Sequence, residues 1–383
     1  MKHINTIFHQ LLKFIPRSQF DAVVNRYDGD RRVRSLSCWK QFTVLLYAQF
    51  SGCQSLRDVV AAWDSHAGRH YHLGSSSVKR STLSDANGLR PSQMYLELFY
   101  CLLGQARTGR KNSKEMVRLI DSTTIDLCKQ QFEWAHFRSG KAGIKVHTVY
   151  DPDANTPTFF SITAAKCHDR KAAQKMPLLS GATYVFDRAY NDYAWFSDMC
   201  LQDVRFVTRM KSNAEFEVLE SNQVAETGVI EDTLIRLSSA RARKLCPQAM
   251  RRIRFVREDD GKELTFITND LKRTAGEIAG LYKQRWQIEL FFKWIKQNLK
   301  IKRFFGNGEN AVKTQIIIAM IAYLLLHLAR KAIPNKRTLQ QLARLVAVNI
   351  LHRRSILGLL VDSEPPESPK ALYDQRQLAL INA

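Results

Sequence analysis

Residues 115 to 211 hold five short strand-like runs and two helical ones, in an order that few folds accommodate. "EMVRLIDSTTIDL" reads as a strand, "GIKVHTVYD" alternates Ile144, Val146, Thr148 and Tyr150, and "TFFSITAAK" follows the turn former "PDANTP". These make a hairpin meander. "DRKAAQKMPLL" is then helical, "TYVFD" a short buried strand, "NDYAWFSDMCL" helical and "VRFVTRMK" a strand. The order β-β-β-α-β-α-β predicts an α/β fold in which helices flank a mixed sheet.

The flanks have a different texture. Residues 1–110 are helical in pattern: "CWKQFTVLLYAQF" places Trp39, Phe42, Leu45 and Leu46 at helix spacing, and "SLRDVVAAW" opens on a capping Ser55. Lys79, Arg80 and Arg90 give this region a basic face suited to DNA, although a solvated face explains them equally well. The polar, basic stretch 104–115 reads as a linker into a core over 111–305. Within that core, about 212–270 carries short alternating segments and reads as a β-rich insertion. Residues 306–383 read as helical with an irregular tail that contains three prolines in "VDSEPPESPK".

A formal net charge of +22 and a pI near 9.8 call for a polyanionic partner, with nucleic acid the leading candidate. A membrane is not expected: the longest apolar run, Ile316 to Ala329, is shorter than the roughly 20 residues a span needs and reads as a buried helix. The first residues show no secretory signal, and the seven cysteines are odd in number with no C-x-x-C pair, so a cytoplasmic chain with reduced thiols is expected.

One helix concentrates chemistry. "YKQRWQIELFFKWIK", Tyr282 to Lys296, lacks Gly, Pro, Asn and Asp, and at roughly 100° per residue Tyr282, Arg285, Glu289 and Lys296 fall within a wedge of about 60°. Leu281, Ile288, Phe292, Ile295 and Leu299 form a core-type stripe beside it. An Arg285–Glu289 surface ladder is the plain reading of the pair. Two further acids end apolar runs, Asp121 after "VRLI" and Asp187 after "TYVF", at the strand edge where α/β sheets bind ligands. Each alone is as good a turn residue. Three carboxylates from separate elements, with Glu289 the third, suit hard divalent cations.

The chain resembles bacterial insertion-sequence transposases of the DDE type, in the subgroup named for its Tyr-Arg-Glu-Lys signature. "YKQRWQIELFFKWIKQNLK" carries the Y-x2-R-x3-E-x6-K pattern, and "LIDSTTI" and "VFDRAYND" resemble the segments with the family's first and second Asp. The resemblance spans most of 115–305, with "RSTLSDAN" a weaker match near the N-terminus. It implies a ribonuclease H-like core, related to retroviral integrases, and a catalytic triad of Asp121, Asp187 and Glu289 holding two Mg²⁺ ions, for which Mn²⁺ is a possible substitute. It further implies that Tyr282, Arg285 and Lys296 hold the phosphate backbone of double-stranded DNA at the transposon end. The expected reaction is cleavage at terminal inverted repeats followed by strand transfer into target DNA, by a homodimer that holds two ends.

Trp286, on the other side of the wedge, is a candidate to stack on an unpaired base, with core packing the even alternative. Arg188, Arg209 and Lys211 flank the proposed site as lesser DNA-contact candidates. The competing functions are a structure-specific nuclease on the same fold and a DNA-binding protein without catalysis. A His-Asp phosphohydrolase built on His136, His147, His168 and Asp169 is a distant fourth.

Overall fold

Helices form where apolar residues recur every three or four positions and a Ser or Thr stands ready to cap. In the computed structural model, which describes residues 5–107, 116–138, 141–332 and 337–360, six of them open the chain. They are α1 (Ile7–Leu12), α2 (Arg17–Arg26), α3 (Cys38–Phe50), α4 (Leu56–Asp64), α5 (Arg80–Leu89) and α6 (Ser92–Arg107). Ser37 caps α3, and Ser55 with Asp58 closes a capping box on α4. α6 runs on into the stretch expected to be a linker; residues 108–115 lie outside the described residues.

The strands follow: β1 (Val117–Leu127), β2 (His136–Arg138), β3 (Lys141–Asp151), β4 (Thr156–Ala164), then α7 (Asp169–Ala173), β5 (Thr183–Phe186), α8 (Tyr193–Leu201) and β6 (Arg205–Arg209). α7 is shorter than "DRKAAQKMPLL" because Pro177 disfavours helical backbone in the residue before it. The insertion contributes β7 (Phe216–Ser221), β8 (Val229–Leu237), α9 (Ala240–Leu245), β9 (Met250–Val256) and β10 (Glu263–Thr268). All ten strands form one mixed sheet, ordered β2-β3-β1-β5-β6-β10-β9-β8-β7, with β4 also on β3. β4, β3 and β1 are antiparallel, and β1, β5 and β6 are parallel, a ribonuclease H-like core. The insertion extends this sheet, since β10 pairs antiparallel with β6.

Five helices follow among the described residues: α10 (Ala275–Gln284), α11 (Trp286–Asn298), α12 (Glu309–Ala332), α13 (Leu339–Asn349) and α14 (Ile356–Leu360). The tail from 361 onward, expected to be irregular, lies outside the described residues. Tyr282 to Lys296 is therefore two helices, joined at Arg285 through Arg285 N–H to Tyr282 O and Ile288 N–H to Arg285 O bonds of 3.1 and 3.2 Å. The turn at the junction tightens to i→i+3 bonding, yet the backbone stays right-handed and the chemistry-bearing face survives.

Hydrophobic clusters cover both faces of the central strands. Leu119 and Val185 face one cluster, while their neighbours Ile120, Tyr184 and Phe186 face the other with Trp195, Phe196 and Met199 of α8. Strands buried on both sides read as nearly continuous apolar runs, as in "TYVF"; "VRLI" is broken by Arg118, whose buried charge is paired with Asp151 at 3.0 Å. The first cluster joins β1 and β3 to α11, α12 and the N-terminal helices. α12 is long and apolar enough to cross a membrane, but 89% of its most apolar window is buried against α3, α5, α6 and α13. It is the core helix of the molecule.

Candidate active site

The sheet register brings the first two acids together. β1 and β5 are parallel with Ile120 opposite Phe186, the last paired position, so Asp121 and Asp187 come next in register. Side chains alternate along a strand, which sends both acids to the face of Leu119 and Val185. α11 packs on that face, burying Ile288, Phe291 and Phe292 against the core and turning Glu289 toward Asp121. One expectation needs correction: Asp121 does not end its strand. β3 continues to pair with β1 as far as Leu127, so only the parallel ladder stops at the acid.

Arg285 spans the gap between acids, with Nη2 2.6 Å from Glu289 Oε1 and Nη1 3.6 Å from Asp121 Oδ2. The expected i,i+4 pair forms, but it is no surface ladder, because the Arg285 side chain is only 16% exposed. Its Nε is buried without a hydrogen-bond partner among the described residues, so the fork is incompletely satisfied. Its guanidinium lies 5.6 Å from the centre of the Tyr282 ring. Tyr282 is buried against Phe266 and reaches Asp187 Oδ2 with its hydroxyl at 3.5 Å. Asp187 also accepts Ala189 N–H at 3.2 Å, capping the turn that follows β5.

Burial pushes the Asp121 carboxyl up to about 6. Ser122 N–H and Arg285 pull it down, while the charges of Glu289 and Asp187 push it further up. Asp121 thus feels both other acids, and Arg285 is the cation between it and Glu289. An all-oxygen donor set of this kind suits Mg²⁺ or Mn²⁺. As the side chains stand, no three His, Cys, Asp or Glu side chains among the described residues form a group able to hold an ion. The donor chemistry fits a metal, and Arg285 lies between two of the donors.

A groove of about 400 Å³ opens beside the acids, lined by Asp121, Ser122, Glu289, Lys293, Lys296 and Lys302 among others. Lys296 Nζ donates to Thr124 O at 2.8 Å, and burial lowers its pKa from the ordinary value. Trp286 is 58% exposed, so core packing does not explain it. Arg209 lies near enough to Tyr282 for its charge to act on the phenol. Arg188 and Lys211 are exposed, and neither lines the groove; Lys211 borders a separate cavity with Arg170 and Arg241.

A family model described as a transposase DDE domain matches residues 112–325, more than half of the chain. The chain belongs to the DDE transposase family. A putative transposase of Sinorhizobium fredii is 42% identical over 293 residues, covering 75% of this chain and 81% of that protein. A probable transposase for an insertion sequence element of Geobacillus stearothermophilus is 34% identical over 55% of each chain. A putative insertion-sequence transposase of Synechocystis is 25% identical over 68% of this chain and 74% of its own length. Residues 3–76 match a second family model, described only as a domain of unknown function. Among solved structures, a piggyBac transposase synaptic complex with hairpin DNA is similar at a TM-score of 0.45 and 10% identity, over 96% of this chain and 88% of that one.

The sequence reading of this transposase missed Lys293 and Lys302 in the groove. Lys293 was legible, four residues beyond Glu289 on the same helix; Lys302 sits in a loop where no periodicity marks it. Arg90, read as basic surface, is instead buried, bonding Gln41 Oε1 at 2.8 Å and the Leu36 carbonyl. The histidine alternative does not assemble: His147 approaches Asp169 at 3.5 Å, but His136 contacts the Lys129 carbonyl and His168 is exposed.

Proposed function

We propose that this transposase binds the terminal inverted repeats of an insertion sequence and performs metal-dependent cleavage and strand transfer with Asp121, Asp187 and Glu289. The supporting observation is the shared register of Asp121 and Asp187 on parallel strands, beneath the helix that carries Glu289. The fit to the Tyr-Arg-Glu-Lys subgroup rests on Tyr282, Arg285, Glu289 and Lys296 lying around those acids.

The three carboxylates would hold Mg²⁺, or Mn²⁺ in its place, supplying activation of the attacking oxygen and stabilisation of the leaving one. Once the acids are neutralised, Arg285 is free to turn its planar fork to a phosphate, two of whose oxygens match it bidentately. The Tyr282 phenol and the Lys296 ammonium flank the same path, and Lys293 and Lys302 extend it along the groove. Trp286, exposed at the start of α11, would stack on an unpaired base, with Arg188, Arg209 and Lys211 as outer backbone contacts. Cleavage is attack by water on the phosphodiester at the transposon end, leaving a 3′-hydroxyl; strand transfer is attack by that hydroxyl on a target phosphodiester. No covalent link to the protein is required.

The helical region over 1–110 is the proposed end-binding part, with Lys79 and Arg80 exposed at the start of α5; 111–305 is the catalytic core, and 306–383 supports it through α12. Two ends must be held together, so a homodimer on DNA is proposed. A labelled terminal-repeat duplex incubated with target DNA and Mg²⁺ tests the reading. Joined product is expected; cut product alone would indicate a nuclease, and a bound but intact duplex a binding protein.

A further inference from the structure

A second polar cluster lies directly behind Asp121, and the catalytic reading does not use it. Asp169, at the start of α7, accepts a hydrogen bond from Ser122 Oγ at 2.7 Å. Lys145 Nζ lies 3.1 and 3.2 Å from its two oxygens, and His147 Nδ1 lies 3.5 Å from one of them. Lys145 and His147 both project from β3, the antiparallel partner of β1, with His147 directly opposite Ser122 in register. His147 is fully buried, and burial holds its pKa down at about 4, with Asp169 opposing and Lys145 reinforcing, so the ring is neutral at neutral pH. Its Nε2 meets Thr163 Oγ1 of β4 at 2.9 Å. The buried Tyr190 closes the cluster: burial first, then the charges of Asp169 and Asp121, push its phenol well above the ordinary value.

Ser122 links this cluster to the catalytic acid. Its side chain is fixed by Asp169, and its backbone N–H donates to Asp121 Oδ1 at 2.8 Å. Oδ1 is thereby held, while Oδ2 faces Arg285. We propose that Asp169 is a positioning residue for the metal site, acting through Ser122 to fix the rotamer of Asp121, with Lys145 holding Asp169 in place. Asp169 itself is not a fourth ligand: its oxygens are already engaged by an ammonium and a hydroxyl. Outer partners of this kind typically change metal affinity or activity by about 10- to 100-fold.

The inference rests on the catalytic reading, and its test is chosen so that the two fail separately. Mn²⁺ binding to the full chain without DNA is followed by loss of the free-ion paramagnetic resonance signal, alongside the cleavage rate at saturating Mg²⁺. Asp169→Asn and Ser122→Ala are each expected to weaken Mn²⁺ binding by about 10-fold or more. The double variant should be no weaker than the worse single one, because both break a single path. Ser122→Thr keeps the hydroxyl and should restore most of the affinity. Affinity for the terminal-repeat duplex should stay near wild type in both, and Ser122→Ala, which leaves the Lys145–Asp169 pair intact, should keep the wild-type unfolding midpoint while losing Mn²⁺ affinity, a split that a merely structural role would not give.

Wild-type Mn²⁺ affinity in Asp169→Asn would overturn the proposal, as would fully additive losses in the double variant. A chain that binds Mn²⁺ but neither cuts nor joins DNA would sink the catalytic reading and leave the positioning role standing.

Discussion

Arg285 makes the sharpest residue-scale prediction, because it bridges Glu289 and Asp121 with two of its donors. Lysine offers one point charge in place of a planar fork, so Arg285→Lys should retain the fold while losing at least about 10-fold in strand transfer. Single-turnover kinetics with a pre-cut end would show this, and wild-type rates would remove Arg285 from the site. Trp286 separates stability from function in another way. As an exposed side chain, its replacement by Ala should change unfolding free energy by no more than about 0.5 kcal/mol. Loss of base stacking should nonetheless weaken end-complex formation by about 1–3 kcal/mol. Equal binding by both proteins would return Trp286 to ordinary surface. At this scale the sequence was legible where function places unusual types in a pattern: Tyr282, Arg285, Glu289 and Lys296 stood out by spacing. Asp169 and Ser122 did not, since their partnership crosses 47 positions of sequence and rests on the pairing of β1 with β3.

Element-scale organisation depends on how the insertion is anchored. Asp232 on β8 and Arg251 on β9 form a buried two-point pair at 2.6 and 2.8 Å, which locks those strands beside each other. Burial works to raise the Asp232 carboxyl, but the hydrogen bonds from Arg251 and Asn222, together with the Arg251 charge, outweigh it and hold it below the ordinary value. With a depressed folded pKa, the pair's contribution is present above the unfolded pKa and is lost as pH falls through the folded one. Asp232→Asn should therefore cost about 3–5 kcal/mol at neutral pH, with the gap to wild type shrinking below about pH 4. Denaturant unfolding at several pH values checks this, and a pH-independent gap would contradict it. Most strands of the insertion were readable from alternation, as in "VIEDTLIRL". α9 was not, because "ARARKL" has a Ser239 cap but little apolar period. The break at Arg285 was also hidden, since its backbone is helical and no Gly or Pro marks it.

For the whole molecule, charge and burial make separate demands. A net charge of +22 in a DDE transposase predicts DNA binding that weakens steeply with salt, by about 0.9 in log–log slope for each phosphate neutralised. Lys293→Ala and Lys302→Ala should each lower that slope by about 1 if the groove carries the backbone. Unchanged slopes in titrations with duplex DNA would move the path elsewhere. The ribonuclease H-like order was legible because its strands and helices are short, distinct and sequential. How the insertion joins the same sheet was not, since the β6–β10 pairing spans more than fifty residues without a local signal.

The central claim is that Asp121, Asp187 and Glu289 converge on a shared metal, and iron-directed backbone cleavage tests it most directly. Fe²⁺ bound in place of Mg²⁺, with ascorbate and peroxide, cuts the polypeptide beside whatever ligands it occupies. The account predicts fragments ending near residues 121, 187 and 289, all suppressed by excess Mg²⁺. Cuts confined to one of these positions, or clustered elsewhere and indifferent to Mg²⁺, would contradict it.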